Sequence, residues 1–391
     1  MRFPEFHGEW EKHGLSEYLD FKNGLNPDSK RFGKGIKFIS VMDILNNPVI
    51  TYDCIRASVQ ATDAEISSFS VENGDILFQR SSETLEDVGR ANVYIDDKVA
   101  VFGGFVIRGK KKASYNPLFF RYLLSSPYAR KRIIPMGAGA QHFNIGQEGL
   151  SKVLLNFPSI EEQIKIASLL HLLDERIATQ SKLIEDFKKL KSAIIDYAIN
   201  SLDTDFAKFG SLYEMAGEGG TPTTSNASFY VNGKIPFVKI DDLKKKYLTE
   251  NKDFITELGL QKSSAWLVPT RSILFSNGAT IGEITITTYP VCTKQGILGI
   301  VPKPNIDVEF LYYFMSSSYF KKAVSRIVTE GTMKTVYLKD INNIRCPIPT
   351  KEKQLDIAKM PSALNSKIDF EQSILKLFGS QKQYLLRQMF M

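Results

Sequence analysis

Two short stretches place side chains able to read a nucleic-acid base directly after an apolar run. Gln79-Arg80-Ser81-Ser82 follows Ile76-Leu77-Phe78, and Ser276-Asn277-Gly278 follows Ile273-Leu274-Phe275. Arginine offers a forked donor pair that fits guanine, while asparagine and glutamine offer a donor beside an acceptor, which fits adenine. A second pair of polar stretches follows glycines: Ala140-Gln141-His142-Phe143-Asn144 after Gly139, and Thr332-Met333-Lys334-Thr335 after Gly331. Lys294-Gln295, ahead of Gly296, is a third. The candidate base-facing residues are therefore Gln79, Arg80, Ser81, Ser82, Gln141, His142, Asn144, Ser276, Asn277, Lys294, Gln295, Lys334 and Thr335. Basic runs hold phosphates instead, which gives affinity without sequence information. Arg108-Gly109-Lys110-Lys111-Lys112 is expected as a loop between a strand and the helix starting near Asn116, with Lys110, Lys111 and Lys112 as phosphate ligands. Arg130-Lys131-Arg132 and Lys244-Lys245-Lys246 read as solvated faces.

Catalytic constellations are harder to assemble. Asn116-Pro117-Leu118-Phe119 lacks the second proline of the Asn-Pro-Pro-Tyr/Phe loop that grips the target amine in adenine methyltransferases, so it reads as a helix-start turn. Asp28 with Asp96-Asp97-Lys98 has the bare letters of a Mg²⁺ nuclease, but the parts lie far apart and in turn-rich sequence. No phosphate loop, no dinucleotide-binding glycine pattern and no Ser-His-Asp arrangement is present. The glycines of Phe102-Gly103-Gly104-Phe105 stand inside an apolar stretch, which marks a bulge or a close backbone approach. His7, His13, His142 and His171 stand singly, and Cys54, Cys292 and Cys346 form no C-x-x-C, so neither a metal site nor a disulfide frame is expected.

These candidates need scaffolds to hold them. A chain of 391 residues suggests two or three domains. Its 43% hydrophobic and 24% charged residues indicate globular structure. The net charge of +7 and pI near 9.0 permit a polyanionic partner. The start of the chain carries no apolar leader and no run approaches a membrane span, so a cytoplasmic location is expected.

In the first part of the chain, Ile36 to Ile44 reads as a strand, Asp75-Ile76-Leu77-Phe78 as a short buried strand, Val99 to Ile107 as another, and Pro117 to Tyr128 as a helix interrupted at Ser125-Ser126-Pro127. From Pro158 the pattern changes to one long helix, with Ser159 as N-cap and Glu162 three residues on. Its apolar seam runs through Ile166, Leu170, Leu173, Ile177, Ile184, Phe187, Ile194 and Ala198, broken at Gln180 and Lys191. The whole plan then recurs. Pro158, Gln163, Ile166, Ala167, Leu173, Ile177, Phe187 and Lys191 reappear as Pro349, Gln354, Ile357, Ala358, Leu364, Ile368, Phe378 and Lys382. Upstream of that second helix, Ile235 to Leu243 answers Ile36 to Ile44, and Ile273-Leu274-Phe275 answers Ile76-Leu77-Phe78. A seam this narrow must be buried, and the matching copy is the nearest partner. The expected helix–helix interface is Ile166, Leu173, Ile177, Ile184, Phe187 and Ile194 against Leu364, Ile368, Leu375, Phe378 and Leu385. Pro361, Gly379 and the seam residue Glu371 predict a second helix that is kinked or starts late and pairs more weakly.

The chain resembles the specificity subunit of a type I DNA restriction–modification enzyme. The resemblance rests on Arg2-Phe3-Pro4-Glu5-Phe6 with Trp10-Glu11, Gly35-Ile36-Lys37-Phe38-Ile39-Ser40, Gly74-Asp75-Ile76-Leu77-Phe78 and Gly219-Gly220-Thr221-Pro222, together with the repeated helix pattern. It implies an α/β (α+β) fold with two duplicated target-recognition domains (1–157 and 204–348) and two helical spacers (158–203 and 349–391) paired as an antiparallel coiled coil. It also implies double-stranded DNA as ligand, with each domain reading one half of a bipartite, asymmetric site. Two modification subunits and restriction/translocase subunits are implied as partners. S-adenosylmethionine, ATP and Mg²⁺ would belong to those partners, with no cofactor in this chain.

Overall fold

The computed structural model describes residues 1–278, 280–329 and 334–390, and it divides into two compact units. The first comprises Met1–Ser181 with Ile374–Met391, the second Lys182–Ser373. Both long helices contribute to both units: Ile160–Asn200 is one uninterrupted helix of 41 residues, and Lys351–Gln388 is another of 38.

In the first unit, a four-stranded antiparallel sheet runs in the order Leu19–Asn23, Val106–Lys111, Ile76–Gln79, Ala91–Val93. A second sheet places Phe32–Ile39 parallel to Ala100–Phe102, between the short strands Ser58–Val59 and Ser70–Val71. Helices Pro117–Ser125 and Pro127–Ile133 share one core with the four-stranded sheet, Phe119, Phe120 and Leu123 packing with Phe78 and Ile107. Each helix opens on a proline after a capping side chain, Asn116 accepting from Phe119 N at 2.9 Å and Ser126 from Ala129 N at 3.2 Å.

The second unit repeats this arrangement. Its main sheet runs Tyr213–Glu218, Ile297–Pro302, Ile273–Ser276, Ile284–Thr287, Tyr247–Leu248. Helices Val308–Ser316 and Ser318–Ile327 are capped by Asp307 and Ser317. One glutamine in each unit ties the domain to its helix. Gln163 accepts from Asn116 N at 3.1 Å and donates to Pro158 O at 3.0 Å, while Gln354 accepts from Asp307 N at 2.7 Å and donates to Pro349 O at 2.9 Å.

Within each unit the long helices pair antiparallel. In the first, Asp174 meets Lys382 while Arg176, two residues on, lies 5.4 Å from the Phe378 ring, so numbers fall on one helix as they rise on the other. In the second, Lys191 bonds Asn365 at 2.9 Å, and Ile195 and Ile199 share a core with Ile357 and Ala358. Ile166, Leu170, Leu173 and Ile184 are buried on the seam, and Ile177 and Phe187 are half-buried. Toward the end of the helix burial is deepest at Ile195 and Ile199, beside the expected Ile194 and Ala198. On the second helix Ile368 and Leu385 are buried, while Leu364, Leu375 and Phe378 are half-buried.

The structure corrects several local expectations. The strand from Ile36 stops at Ile39, because Asp43 accepts from both Ser40 N and Ser40 Oγ at 2.7 Å and caps a helix, Val41–Asn46. The stretch Val99 to Ile107 is two strands, Ala100–Phe102 and Val106–Lys111, separated by a tight turn. The second long helix does not start late: it begins at Lys351 and continues through Pro361. Proline removes one donor from the helical ladder. Here its ring is buried and the next residue is anchored, Ser362 Oγ donating to Glu309 Oε2 at 2.6 Å. Glu371, on the seam, is paired with Lys367 at 2.6 Å.

Candidate nucleic-acid interface

Two stretches remote in the sequence of the first unit meet at the end of the strand Ile76–Gln79. Ser81–Ser82 pairs antiparallel with Phe143–Asn144, and Ser81 Oγ donates to Asn144 Oδ1. Arg80 is the junction: its N–H donates to Phe105 O and its carbonyl accepts from Ile145 N, both at 2.9 Å. Its guanidinium gives one hydrogen bond, Nη1 to Gly104 O at 3.3 Å, and the remaining donors are unused among the described residues. Ala138 and Asn144 exchange two backbone bonds of 2.9 Å and close a loop whose tip exposes Gln141 and His142. Gly139 has φ +145, and a side chain there would collide with the His142 carbonyl, so only glycine fits this closure. Gln79 is buried and donates to Ser81 O at 2.9 Å, which makes it a support for the loop.

The second unit builds the same junction on different side chains. Asn277 N donates to Gly296 O at 3.0 Å, Val336 N donates to Asn277 O at 2.9 Å, and Thr329 N reaches Thr335 O at 3.1 Å. Here the side chain turns inward. Asn277 is 2% exposed and its Nδ2 donates to Val336 O at 3.1 Å. Ser276 is also buried, donating to Thr280 O. The expectation that Ser276 and Asn277 face a base is thereby corrected, since a buried, bonded side chain cannot reach DNA without breaking the junction. The exposed groups around it are Lys294, Gln295 and Lys334, with Thr335 half-buried. Gly331, Thr332 and Met333 lie outside the described residues.

The basic run is also placed differently. Arg108 to Lys111 belong to a strand, and Lys110 lies five residues along it from Phe105, roughly 16 Å away. The loop expectation fails because these residues complete the ladders to Leu19–Asn23 and Ile76–Gln79. Arg108 is buried and bonds Ser70 O, Lys110 pairs with Glu72 at 2.7 Å, and Lys111 lies 4.9 Å from the Tyr115 ring. Lys112 is exposed at the strand's end. Two other basic residues are structural. Arg130 donates to the carbonyls of Glu86 and Val88, and burial, with Arg90 nearby, lowers its pKa to about 10. Lys246 is buried against Glu309 (2.8 Å) and Ser362 (2.9 Å). Among the described residues, no group of three or more His, Cys, Asp or Glu side chains could hold a metal ion.

Sequence reasoning missed three residues. Phe105 is exposed on the turn before Val106–Lys111. Asn26 lies over Gly104, where any side chain would strike the Asn26 amide. Asp174 gathers Tyr122 Oη (2.9 Å), Arg121 (3.3 Å) and Lys382. The signal for Asn26 was present: Asn26-Pro27 stands where the second copy has Thr221-Pro222, and Gln295 N donates to Thr221 Oγ1 at 3.2 Å.

A duplicated mixed fold with matching polar junctions, each beside its own length of paired helix, defines a two-headed recognition protein. The sequence profile of the type I restriction modification DNA specificity domain matches the chain twice, over residues 7–189 and 203–377. The type I restriction enzyme MjaVIII specificity subunit of Methanocaldococcus jannaschii is 21% identical over 402 aligned positions, covering 94% of this chain and 90% of the relative. Two solved structures share the fold. The specificity subunit of the Mycoplasma genitalium type I system has a TM-score of 0.58 at 16% identity, with 100% and 99% of the two chains covered. A chain from a study of complex assembly and conformational transition in the type I system has a TM-score of 0.62 at 14% identity, with 98% and 97% covered. The chain belongs to this family: it is a non-catalytic DNA-specificity subunit of a type I restriction–modification system, one that recognises DNA sequence. No helix among the described residues is long and apolar enough to cross a membrane.

Proposed function

We propose that residues 1–157 and 204–348 each read one half of a bipartite, asymmetric site in double-stranded DNA, and that the helical segments 158–203 and 349–391 fix the spacing between the halves. The observation that carries this reading is the repeated junction, one backbone geometry built at Arg80 and again at Asn277 and surrounded by different polar groups. One scaffold with two sets of side chains suits a target whose halves differ. A helix of 41 residues, roughly 60 Å long, supports the spacer role. Half-sites about one turn of duplex apart present the same face of the DNA.

Adenine methylation and DNA cleavage then belong to partners: two modification subunits, and restriction/translocase subunits beyond them. S-adenosylmethionine, ATP and Mg²⁺ would be held by those subunits. Apolar side chains left exposed on the long helices support docking there, Ile164, Leu169 and Leu172 in the first unit and Leu355, Met360 and Phe370 in the second.

The test is an exchange of residues 1–157 for the matching domain of a related subunit, read by genome-wide sequencing of methylated adenines. One half of the methylated site should change and the other persist. A change in both halves, or in neither, would overturn the two-reader assignment.

A further inference from the structure

The turn between Ala100–Phe102 and Val106–Lys111 carries an aromatic ring that belongs to no hydrophobic cluster among the described residues. Phe105 is 68% exposed, yet its turn is held from three sides. Gly103 N donates to Ile39 O (3.0 Å), Leu25 N to Phe102 O (2.9 Å), Arg80 N to Phe105 O (2.9 Å) and Val106 N to Gly103 O (2.8 Å). A loose loop could fold such a ring back onto the surface. A turn tied to neighbouring strands keeps it in water, where a lone phenyl ring gains nothing for the fold.

The residue before it, Gly104, joins two further side chains. Its carbonyl accepts from Arg80 Nη1, and its Cα lies under the Asn26 amide so closely that no side chain could be added there. Asn26 is exposed and its amide makes no hydrogen bond among the described residues. Three groups that match base edges therefore converge on two consecutive residues, although they come from sequence positions 26, 80 and 105. A free amide pairs with N6–H and N7 of adenine, an apolar surface accepts the 5-methyl group of thymine, and a guanidinium suits guanine.

We propose that Asn26 and Phe105 together read one A·T pair in the half-site of the first domain, the amide bonding adenine and the ring packing on the thymine methyl. The inference rests on the assignment of this domain as a DNA reader and adds the base pair it reads. Thr221 and Gly296 stand at the matching places in the second unit, so the second half-site has no such reader.

The experiment uses the assembled methyltransferase complex and the duplex defined by methylation sequencing. Each thymine of the first half-site is replaced in turn by deoxyuridine, which lacks the methyl group, and each adenine by 7-deazaadenine, which lacks N7. For the native subunit, one position of each kind should weaken binding about fivefold to tenfold, and the two should fall on the same base pair. Phe105→Ala should lose about as much on the unmodified site and become indifferent to that deoxyuridine. Asn26→Ala should become indifferent to that 7-deazaadenine. Binding to a scrambled duplex should not change in either variant, which also shows that both fold. If native binding ignores every such replacement, or if the variants stay fully sensitive to them, the inference fails. The exchange of residues 1–157 separates the two failures. Should the exchange redirect the first half-site while the variants remain sensitive, only the A·T reader is lost; should it redirect nothing, the reader assignment falls as well.

Discussion

Arg80 and Asn277 occupy matching places at the end of matching strands and make the same backbone bonds, yet one side chain keeps free donors and the other is sealed into the core. The difference shows where such a fold can vary. Strand and junction are fixed by main-chain pairing, which accepts many residue types, whereas side-chain presentation depends on what the neighbouring loop supplies. In the second unit the polar groups left exposed at the junction are Lys294, Gln295 and Lys334, because Val336 has claimed Asn277. A parallel contrast exists on the helices. Asp174 in the first unit collects a tyrosine hydroxyl and two cations, while its repeat partner Asn365 is a neutral residue bonding Lys191 at 2.9 Å.

The largest expected effect comes from the seam. Ile368 is 4% exposed and its counterpart Ile177 only half-buried, so at this pair of positions the second helix is the more tightly packed one despite Pro361. Ile368→Asp should destabilise the protein by about 4 kcal/mol and Ile177→Asp by about 2 kcal/mol, because the deeper site leaves the new carboxylate less hydrated. Denaturant unfolding of the two variants would show the order, and a larger loss at Ile177 would break the comparison.

Next come the helix polar pairs. Asp174→Ala strands Lys382 and Arg121 in a mostly buried site and should cost about 3 kcal/mol. Asn365→Ala removes a neutral partner and should cost about 1 kcal/mol. Thermal melting would sharpen the contrast, and equal losses would mean that the charge of Asp174 is immaterial.

The junction residues should separate by type of defect more than by size. Arg80→Ala is expected to weaken cognate binding by about 2 kcal/mol without changing stability or nonspecific affinity. Asn277→Ala should instead cost about 1 kcal/mol of stability through the stranded Val336 carbonyl. Binding to cognate and scrambled duplexes, measured beside unfolding, distinguishes the two. An equal loss on both duplexes for Arg80→Ala would make it a phosphate ligand.

The smallest effect concerns charge. Lys110, Lys111 and Lys112 stand where the second copy has Val301, Pro302 and Lys303. Replacing all three lysines by alanine should flatten the salt dependence of binding by about one unit for each phosphate no longer neutralised and leave selectivity intact. An unchanged slope would assign these lysines to the fold, as the Lys110–Glu72 pair already suggests for one of them.

Much of the architecture was legible in the chain. The long helices, the helix start at Pro117 with its break at Pro127, and the duplication all depend on local chemistry or on spacing along the sequence, which periodicity and repeated identities record directly. The helix Val41–Asn46 was missed because an apolar run hid the short-range bonds between Ser40 and Asp43. Solvent exposure around the two junctions was not recorded in that way. Asn277 is buried by Val336, Lys246 by Glu309 and Ser362, and Asn26 meets Gly104 across 78 positions. Most elements and the correspondence of the two copies follow from local chemistry and spacing along the chain. Which side chains stay available to DNA is set by the folded molecule, since availability depends on hydrogen bonds and packing from residues remote in the chain.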